Sequence, residues 1–438
     1  MGFLRLNFKK IPKNPKNRKI PKNPKYLNCM SKNIQLSKSQ ILEGSHAIAL
    51  TIKNINPAVI SAYPITPQTH IVEDLAKFKA DGEASYEYVR AESEFAAASI
   101  IEGASATGVR VYSATSSQGL LLMTEVIFNI AGMRLPVVIT CANRAVSAPI
   151  NIWNDQQDAM TIRDSGWIML FAENHQEAVD QHIMAYKIAE QLKIPVMVNI
   201  DGFILTHTYE PVIIPDSKRI KKYLPDYKPT PGQFLDPANP VTMGAFATPA
   251  HYMEIRQDLH DDLISSLKTI NEEYEKYHKI INPTSDIRHL TSENGLIEYY
   301  GPKNPKTILV AMGSVIGTIK EVIDKLSPPP LNLPLSKGER KRGSVGALKI
   351  KTYRPFPAEE ILRIIKPAKY IAILDKAISL GHIGPLAADI KAAAQDKIKV
   401  KIQSFIVGLG GRDITKEMIK KIIAEVEKND DEIKFIGK

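Results

Sequence analysis

Cysteine is almost missing, with Cys29 and Cys141 the two present in 438 residues. They sit in unlike settings, one in a basic tail and one in an apolar strand pattern, which points to a reduced, cytoplasmic protein and not to a disulfide framework. Two thiols also exclude an iron–sulfur cluster held by this chain alone, because such clusters need about four thiolates. Long apolar runs are missing too. No stretch approaches the roughly 20 residues of a membrane span, and 44% hydrophobic with 24% charged residues is the balance of a soluble globular protein, so no membrane partner is expected. Acidic residues are absent from positions 1–40, which carry eleven Lys or Arg. The other 398 residues hold 46 basic against 47 acidic side chains, so the net charge of +10 belongs to the tail and no nucleic-acid partner is expected.

The tail contains a near-repeat, IPKNPKNRKIPKNPK, whose proline and charge oppose both helix and collapse, so residues 1–35 are expected to be disordered. It has no apolar signal region and is Lys/Pro/Asn-rich where transit peptides favour Arg and Ser. A dispensable extension is the expectation, with Met30 as an alternative start; electrostatic tethering is the other reading. Chemical motifs are scarce in the rest. There is no phosphate-binding glycine loop, no His/Cys metal spacing and no nucleophile elbow, so no metal site is expected, and GLGGRD (408–413) reads as a turn.

What is present is a regular alternation of short apolar strands and helical stretches from about residue 36, the pattern of an open parallel α/β sheet. Strands are expected at 58–64, 110–116, 136–143 and 195–201, a small-residue helix at 93–108 ending at Gly103 or Gly108, and a buried helix at 119–133. After residue 205 strands are expected to stop, and a charged helix at 251–281 reads as the connection between domains. A second, smaller doubly wound α/β domain follows, with strands at 306–314, 345–355, 370–376 and 400–408. Within it, SPPPLNLPLSKGERKRGS (327–344) is a polar insertion where loops usually run about 2–6 residues, so a protruding loop is expected. The expected domains are thus a tail 1–35, a first domain 36–250, a helical connection 251–300 and a second domain 301–438.

In open parallel sheets ligands bind beyond the carboxyl ends of the strands. Four strand ends there carry polar groups. In SAYPITPQT, Pro64 and Pro67 fix a turn that leaves Thr66 and Gln68 free to point forward. In EYVRAESEF, Glu92 and Glu94 precede the small-residue helix. In ATSSQG, Ser117 and Gln118 occupy a strand–helix junction, and TCANRAV ends a strand on Asn143 and Arg144, an amide and a guanidinium suited to a planar carboxylate. Each has a plain structural alternative: turn residue, helix-dipole partner, N-cap or surface ion pair. Their convergence on one crevice favours a site.

The segments YPITPQT, ESEFAAASIIEGASATG, TSSQGLLLM, NRAVSAPINIWNDQQDAMTIRDSGW, KTYRPFP and VGLGGRD, in this order, closely resemble the alpha subunit of the pyruvate:ferredoxin oxidoreductase (pyruvate synthase) family over about residues 37–425. The basic tail and the insertion depart from the family without touching these motifs. The resemblance implies a thiamine-diphosphate-binding, pyrimidine-type domain over 36–250 and a transketolase-C-terminal-like domain over 301–438. It implies a beta subunit supplying Mg²⁺, the diphosphate half of the cofactor site and a [4Fe–4S] cluster, with gamma and delta subunits completing a path to ferredoxin. It implies Glu94 as the catalytic carboxyl at the cofactor's N1′, with Glu92 its competitor, Pro64, Ser117 and Gln118 as further cofactor contacts, and Thr66 and Arg144 on the pyruvate carboxylate. A carboxyl at N1′ in a dry site favours the tautomer whose imino group removes the C2 proton. Pyruvate and coenzyme A are then the expected substrates. The alternatives are a sister enzyme for branched-chain 2-oxoacids or 2-oxoglutarate, or a non-catalytic assembly subunit.

Overall fold

The computed structural model describes residues 38–281, 291–326, 345–428 and 431–437. The tail 1–35, with Cys29, and the insertion 327–344 lie outside the described residues. The architecture is α/β, as expected, with two seven-stranded sheets and a two-stranded ribbon.

The first sheet runs, in spatial order, Thr352–Arg354, Ile168–Phe171, Val196–Asp201, Val138–Asn143, Val111–Thr115, Val59–Ala62, Glu87–Arg90. All but Thr352–Arg354 are parallel, so six carboxyl ends share one edge. The central strands Val138–Asn143 and Val196–Asp201 are buried throughout, which explains their nearly continuous apolar sequences. The second sheet runs Ile433–Phe435, Lys401–Ile406, Tyr370–Asp375, Thr307–Ala311, Val345–Ile350, Ile297–Tyr300, Thr291–Glu293, with the last two strands antiparallel.

Four expectations change. The run VGALKIKTYRP does not form one strand: Val345–Ile350 joins the second sheet and Thr352–Arg354 the first. Lys351 is the crossing point, its N–H donating to Leu296 O at 2.9 Å while its carbonyl accepts from Phe171 N at 2.8 Å. Strands do not stop at 205, because Tyr209–Val212 pairs antiparallel with Gln40–Glu43; Pro211 disguised this edge strand. The expected buried helix 119–133 is two helices, Ser117–Leu122 and Thr124–Gly132, and Leu122 and Phe128 stand 50% and 40% exposed. The small-residue helix is Glu94–Ala106, so of the two expected ends Gly103 lies inside it and Gly108, at φ 84°, follows its last turn.

Buried charge fastens the two sheets together. Asp201, at the carboxyl end of its strand, pairs with Lys376 Nζ at 2.7 Å and accepts from Ser314 N at 2.8 Å and Ser314 Oγ at 2.5 Å; both ions of the pair are almost fully buried. A second network joins Lys349 to Glu173, Glu177 and Glu298 at 2.7, 3.2 and 2.5 Å, with Lys320 on Glu173 and Glu298. Burial opposes the ionised form of Asp201, but the charge and hydrogen bond of Lys376 and the Ser314 bonds hold its pKa below the ordinary carboxylate value. A depressed carboxyl pKa contributes stability above the unfolded value, and that stability is lost as pH falls through the depressed one. Removing one member of a buried pair costs about 3–5 kcal/mol. Lys376→Met is therefore expected to lower the urea midpoint of the full chain at pH 7, and by less near pH 3; an unchanged midpoint at pH 7 contradicts this role.

Candidate active site

The polar strand ends of the first sheet are drawn together by Asp158, a fully buried carboxylate on the short helix Gln157–Thr161. Its Oδ2 accepts the backbone N–H of Ser117 and of Arg144, each at 2.9 Å. Its Oδ1 accepts from Asn143 Nδ2 at 3.0 Å and Ala159 N at 2.7 Å. Burial pushes the Asp158 pKa up, and the four donors act against burial by favouring the ionised form. Sequence reasoning missed this residue. The signal was the polar run NDQQD, whose place beneath the strand ends only the fold reveals.

Two consequences follow at the strand ends. Ser117 adopts a left-handed backbone (φ 49°), a conformation that costs of order 1–3 kcal/mol in a non-glycine residue unless its surroundings hold it. The Asp158 bond and a 2.5 Å bond from Ser117 Oγ to Ala145 O provide that hold. Arg144, 6% exposed, turns its side chain across the edge, donating from Nη1 to Thr66 O at 2.9 Å and from Nε to Asn151 O at 3.1 Å. The structure thus brings the sequence-predicted residues Thr66 and Arg144 into direct contact. Among the described residues, neither the Arg144 Nη2 group nor the Thr66 hydroxyl has a protein partner, so both stay available to a ligand. Burial lowers the Arg144 pKa by disfavouring its charge.

The YPITP turn differs from expectation at Gln68. This side chain does not point forward: it is fully buried and donates to Tyr63 O at 2.9 Å and Ala114 O at 3.0 Å, tying the turn to the neighbouring strand. Pro64 remains exposed at the edge.

Glu94 is the first residue of its helix, behind the Ser93 cap that accepts Ala96 N at 3.1 Å. Of the two candidate carboxylates, Glu92 is exposed whereas Glu94 is 7% exposed. The space it occupies depends on Gly119: a Cβ there would lie 2.6 Å from both Glu94 Oε1 and Thr115 Oγ1. Among the described residues, Glu94 makes no side-chain hydrogen bond, and the buried Thr115 Oγ1 and Gln118 Nε2 also lack partners. Buried polar groups are normally satisfied, so a carboxylate, a hydroxyl and an amide nitrogen left without partners around Gly119 fit a polar heterocycle supplied from outside the chain.

GLGGRD is more than a turn. Gly410 O accepts Asn151 Nδ2 at 3.1 Å, Gly410 N donates to Asp155 Oδ2 at 3.2 Å, and Gly411 N donates to Asn154 O at 2.6 Å. Gly411 has φ 81°, and a Cβ there would come within 2.3 Å of Trp153 Cβ, so only glycine permits this approach. The second half of the chain thereby clamps the loop whose Asn151 carbonyl holds Arg144. Burial pushes the Asp155 carboxyl up to about 6.

Asp158→Asn tests the hub directly. Its amide would face backbone N–H groups with a donor, leaving two or more unsatisfied, at about 1–3 kcal/mol each. The expected outcome is a lower thermal midpoint together with a disordered Ser117 turn by hydrogen exchange; unchanged exchange at Ser117 and Arg144 contradicts it.

Comparisons with known proteins identify the family. The family model described as "Pyruvate flavodoxin/ferredoxin oxidoreductase, thiamine diP-bdg" matches residues 51–276, and that of "Pyruvate:ferredoxin oxidoreductase core domain II" matches 306–419. The chain is 46% identical over 404 residues to pyruvate synthase subunit PorA of Methanosarcina barkeri, covering 89% of this chain and 93% of that one. It is 47% identical over 399 residues to the subunit of the same name from Methanocaldococcus jannaschii, covering 90% and 96%. Its fold is also that of the 2-oxoglutarate:ferredoxin oxidoreductase from Magnetococcus marinus, solved with 2-oxoglutarate, coenzyme A and succinyl-CoA bound: the TM-score is 0.62 at 19% identity, covering 89% of this chain and 66% of that one. With over half its length matched by one family model and near-complete alignment to these relatives, the chain belongs to the pyruvate flavodoxin/ferredoxin oxidoreductase family.

Proposed function

We propose that this chain is the alpha subunit of an enzyme that oxidatively decarboxylates pyruvate with coenzyme A, forming acetyl-CoA and CO₂ and reducing ferredoxin, a reaction that also runs in reverse as pyruvate synthesis. The observation that carries the reading is the buried, unpaired Glu94 carboxylate at the shared edge of six parallel strands, with the Thr66–Arg144 pair on the same edge. Thiamine diphosphate, when bound, supplies the acidic carbon that adds to a 2-oxoacid and the electron sink that lets CO₂ depart.

The roles of this chain's residues follow from their settings. The Glu94 carboxyl, 7% exposed, would hydrogen-bond N1′ of the pyrimidine when the cofactor is bound. Ser117, held by Asp158, and Gln118, which accepts the Ser117 hydroxyl, would line the bound ring, with Pro64 at the edge beside it. Arg144 is held by two backbone carbonyls before substrate arrives, so its free Nη2 edge meets the pyruvate carboxylate with its orientation already fixed. The Thr66 hydroxyl approaches that carboxylate from the turn. The proposed division is a first domain over 36–250 and a second over 301–438, with a connection over 251–300 whose strands Thr291–Glu293 and Ile297–Tyr300 pair into the second sheet.

Partners complete the site. Tyr63, Ile150, Ile152 and Trp153 are 39%, 79%, 37% and 51% exposed on the segments that carry Thr66 and lead from Arg144, and Phe95, beside Glu94, is 40% exposed. Apolar side chains concentrated around a polar edge support burial by another subunit. A beta subunit would supply the diphosphate and Mg²⁺ half of the site and a [4Fe–4S] cluster, with gamma and delta subunits carrying electrons to ferredoxin in the cytoplasm. Among the described residues Cys141 is the one cysteine, buried and with its thiol pushed well up by burial and by Asp158, which supports placing the cluster in a partner subunit.

Glu94→Gln in the co-expressed complex is the decisive variant. Loss of a positioned proton carrier costs about 10²–10⁴-fold, so pyruvate-dependent ferredoxin reduction is expected to fall by that factor while subunit assembly persists. Full activity of this variant rejects the reading.

A further inference from the structure

A second polar cluster sits on the first half of the chain and has no part in the chemistry above. Glu43 ends the strand Gln40–Glu43, His70 lies in the first turn of the helix Thr69–Ala80, and His207 lies in the turns that follow the strand Val196–Asp201. Three segments far apart in sequence therefore deliver two imidazoles and a carboxylate whose candidate ligand atoms all lie within 4.8 Å of one another. His70 Nδ1 and Glu43 Oε1 are 2.7 Å apart. The His70 and His207 rings face each other with centroids 4.6 Å apart. His207 Nδ1 is bonded to Thr206 Oγ1 at 2.6 Å, and among the described residues Nε2 has no protein partner.

We propose that Glu43, His70 and His207 form a binding site for one divalent transition ion of the zinc type, with water as the fourth ligand. Two imidazoles select a borderline ion over Mg²⁺ or Ca²⁺, which favour all-oxygen shells. Ligand bonds of about 2.0–2.1 Å around a tetrahedral ion place donor atoms roughly 3.3 Å apart. The present separations, from 2.7 Å to within 4.8 Å, bracket that spacing, so small side-chain rotations suffice. The Thr206 hydroxyl already provides the outer contact that commonly orients a ligating histidine. That hydroxyl also accepts Phe203 N at 2.8 Å, which fixes it in place. The His207 ring continues onto Phe203 and then Trp153, with centroids 4.7 and 4.5 Å apart, so its orientation is constrained on its other side as well. The ion ties the helix that follows the YPITP turn to the first strand and to the segment after Asp201. Its role is to brace the turn that carries Thr66, and neither redox nor acid–base chemistry is asked of it.

The full chain, stripped with a chelator and desalted, would be titrated with Co²⁺ as a coloured probe and then with Zn²⁺. The expected result is a tetrahedral Co²⁺ absorption band that saturates at one equivalent, is displaced by Zn²⁺ and resists a hundredfold excess of Mg²⁺. His70→Gln and His207→Gln are each expected to weaken binding about tenfold or more. Glu43→Gln, which preserves shape and both imidazoles, serves as the control for folding and should weaken binding in the same direction. Equal affinity in wild type and all three variants would assign the metal elsewhere and overturn the site, as would displacement by Mg²⁺. Zn²⁺ should also raise the thermal midpoint of the wild-type chain and leave that of His207→Gln unmoved.

Discussion

A single buried carboxylate organises the carboxyl edge of the first sheet. Asp158 gathers the backbone N–H groups of Ser117 and Arg144 and the amide of Asn143 from two adjacent strand ends. Parallel strands end in unpaired backbone groups, and a crevice there is stable only if something satisfies them. Here the acceptor is internal, so the outward-facing groups stay unengaged: the Thr66 hydroxyl, the Arg144 Nη2 edge and the Glu94 carboxylate.

The second half of the chain serves the same edge from a distance. Asp201 and Lys376 pair where the two sheets meet, and GLGGRD grips Asn151, Asn154 and Asp155 through backbone and side-chain bonds. Arg144 in turn rests on the Asn151 carbonyl. The guanidinium is thus placed by elements more than two hundred residues apart in sequence, which gives a physical reason for both halves to reside in one chain.

Much of this was legible beforehand. Strand cores such as PVVITCAN and PVMVNID declare themselves because burial on both faces demands continuous apolar sequence, and the polar residues that follow mark the sheet's carboxyl edge. Glu94 could be separated from Glu92 only through resemblance; in the structure Glu94 is buried beside Gly119 whereas Glu92 is exposed. Three features escaped because they depend on tertiary partners. Asp158 has no local signature that separates it from a solvated acid. Gln68 sits among turn residues yet is pulled inward by two carbonyls. The split at Lys351 leaves no mark in the apolar pattern of VGALKIKTYRP, since both resulting strands are buried and only their hydrogen-bond partners differ.

Glu94, and not Glu92, is the carboxyl proposed to meet the cofactor at the open edge of the first sheet. A structure of the assembled complex with thiamine diphosphate and Mg²⁺ tests it most directly. The account predicts the Glu94 carboxylate hydrogen-bonded to the pyrimidine ring, with Gly119 alongside and the diphosphate held by the partner subunit. A pyrimidine bound to Glu92, or a cofactor seated away from this strand edge, would contradict it.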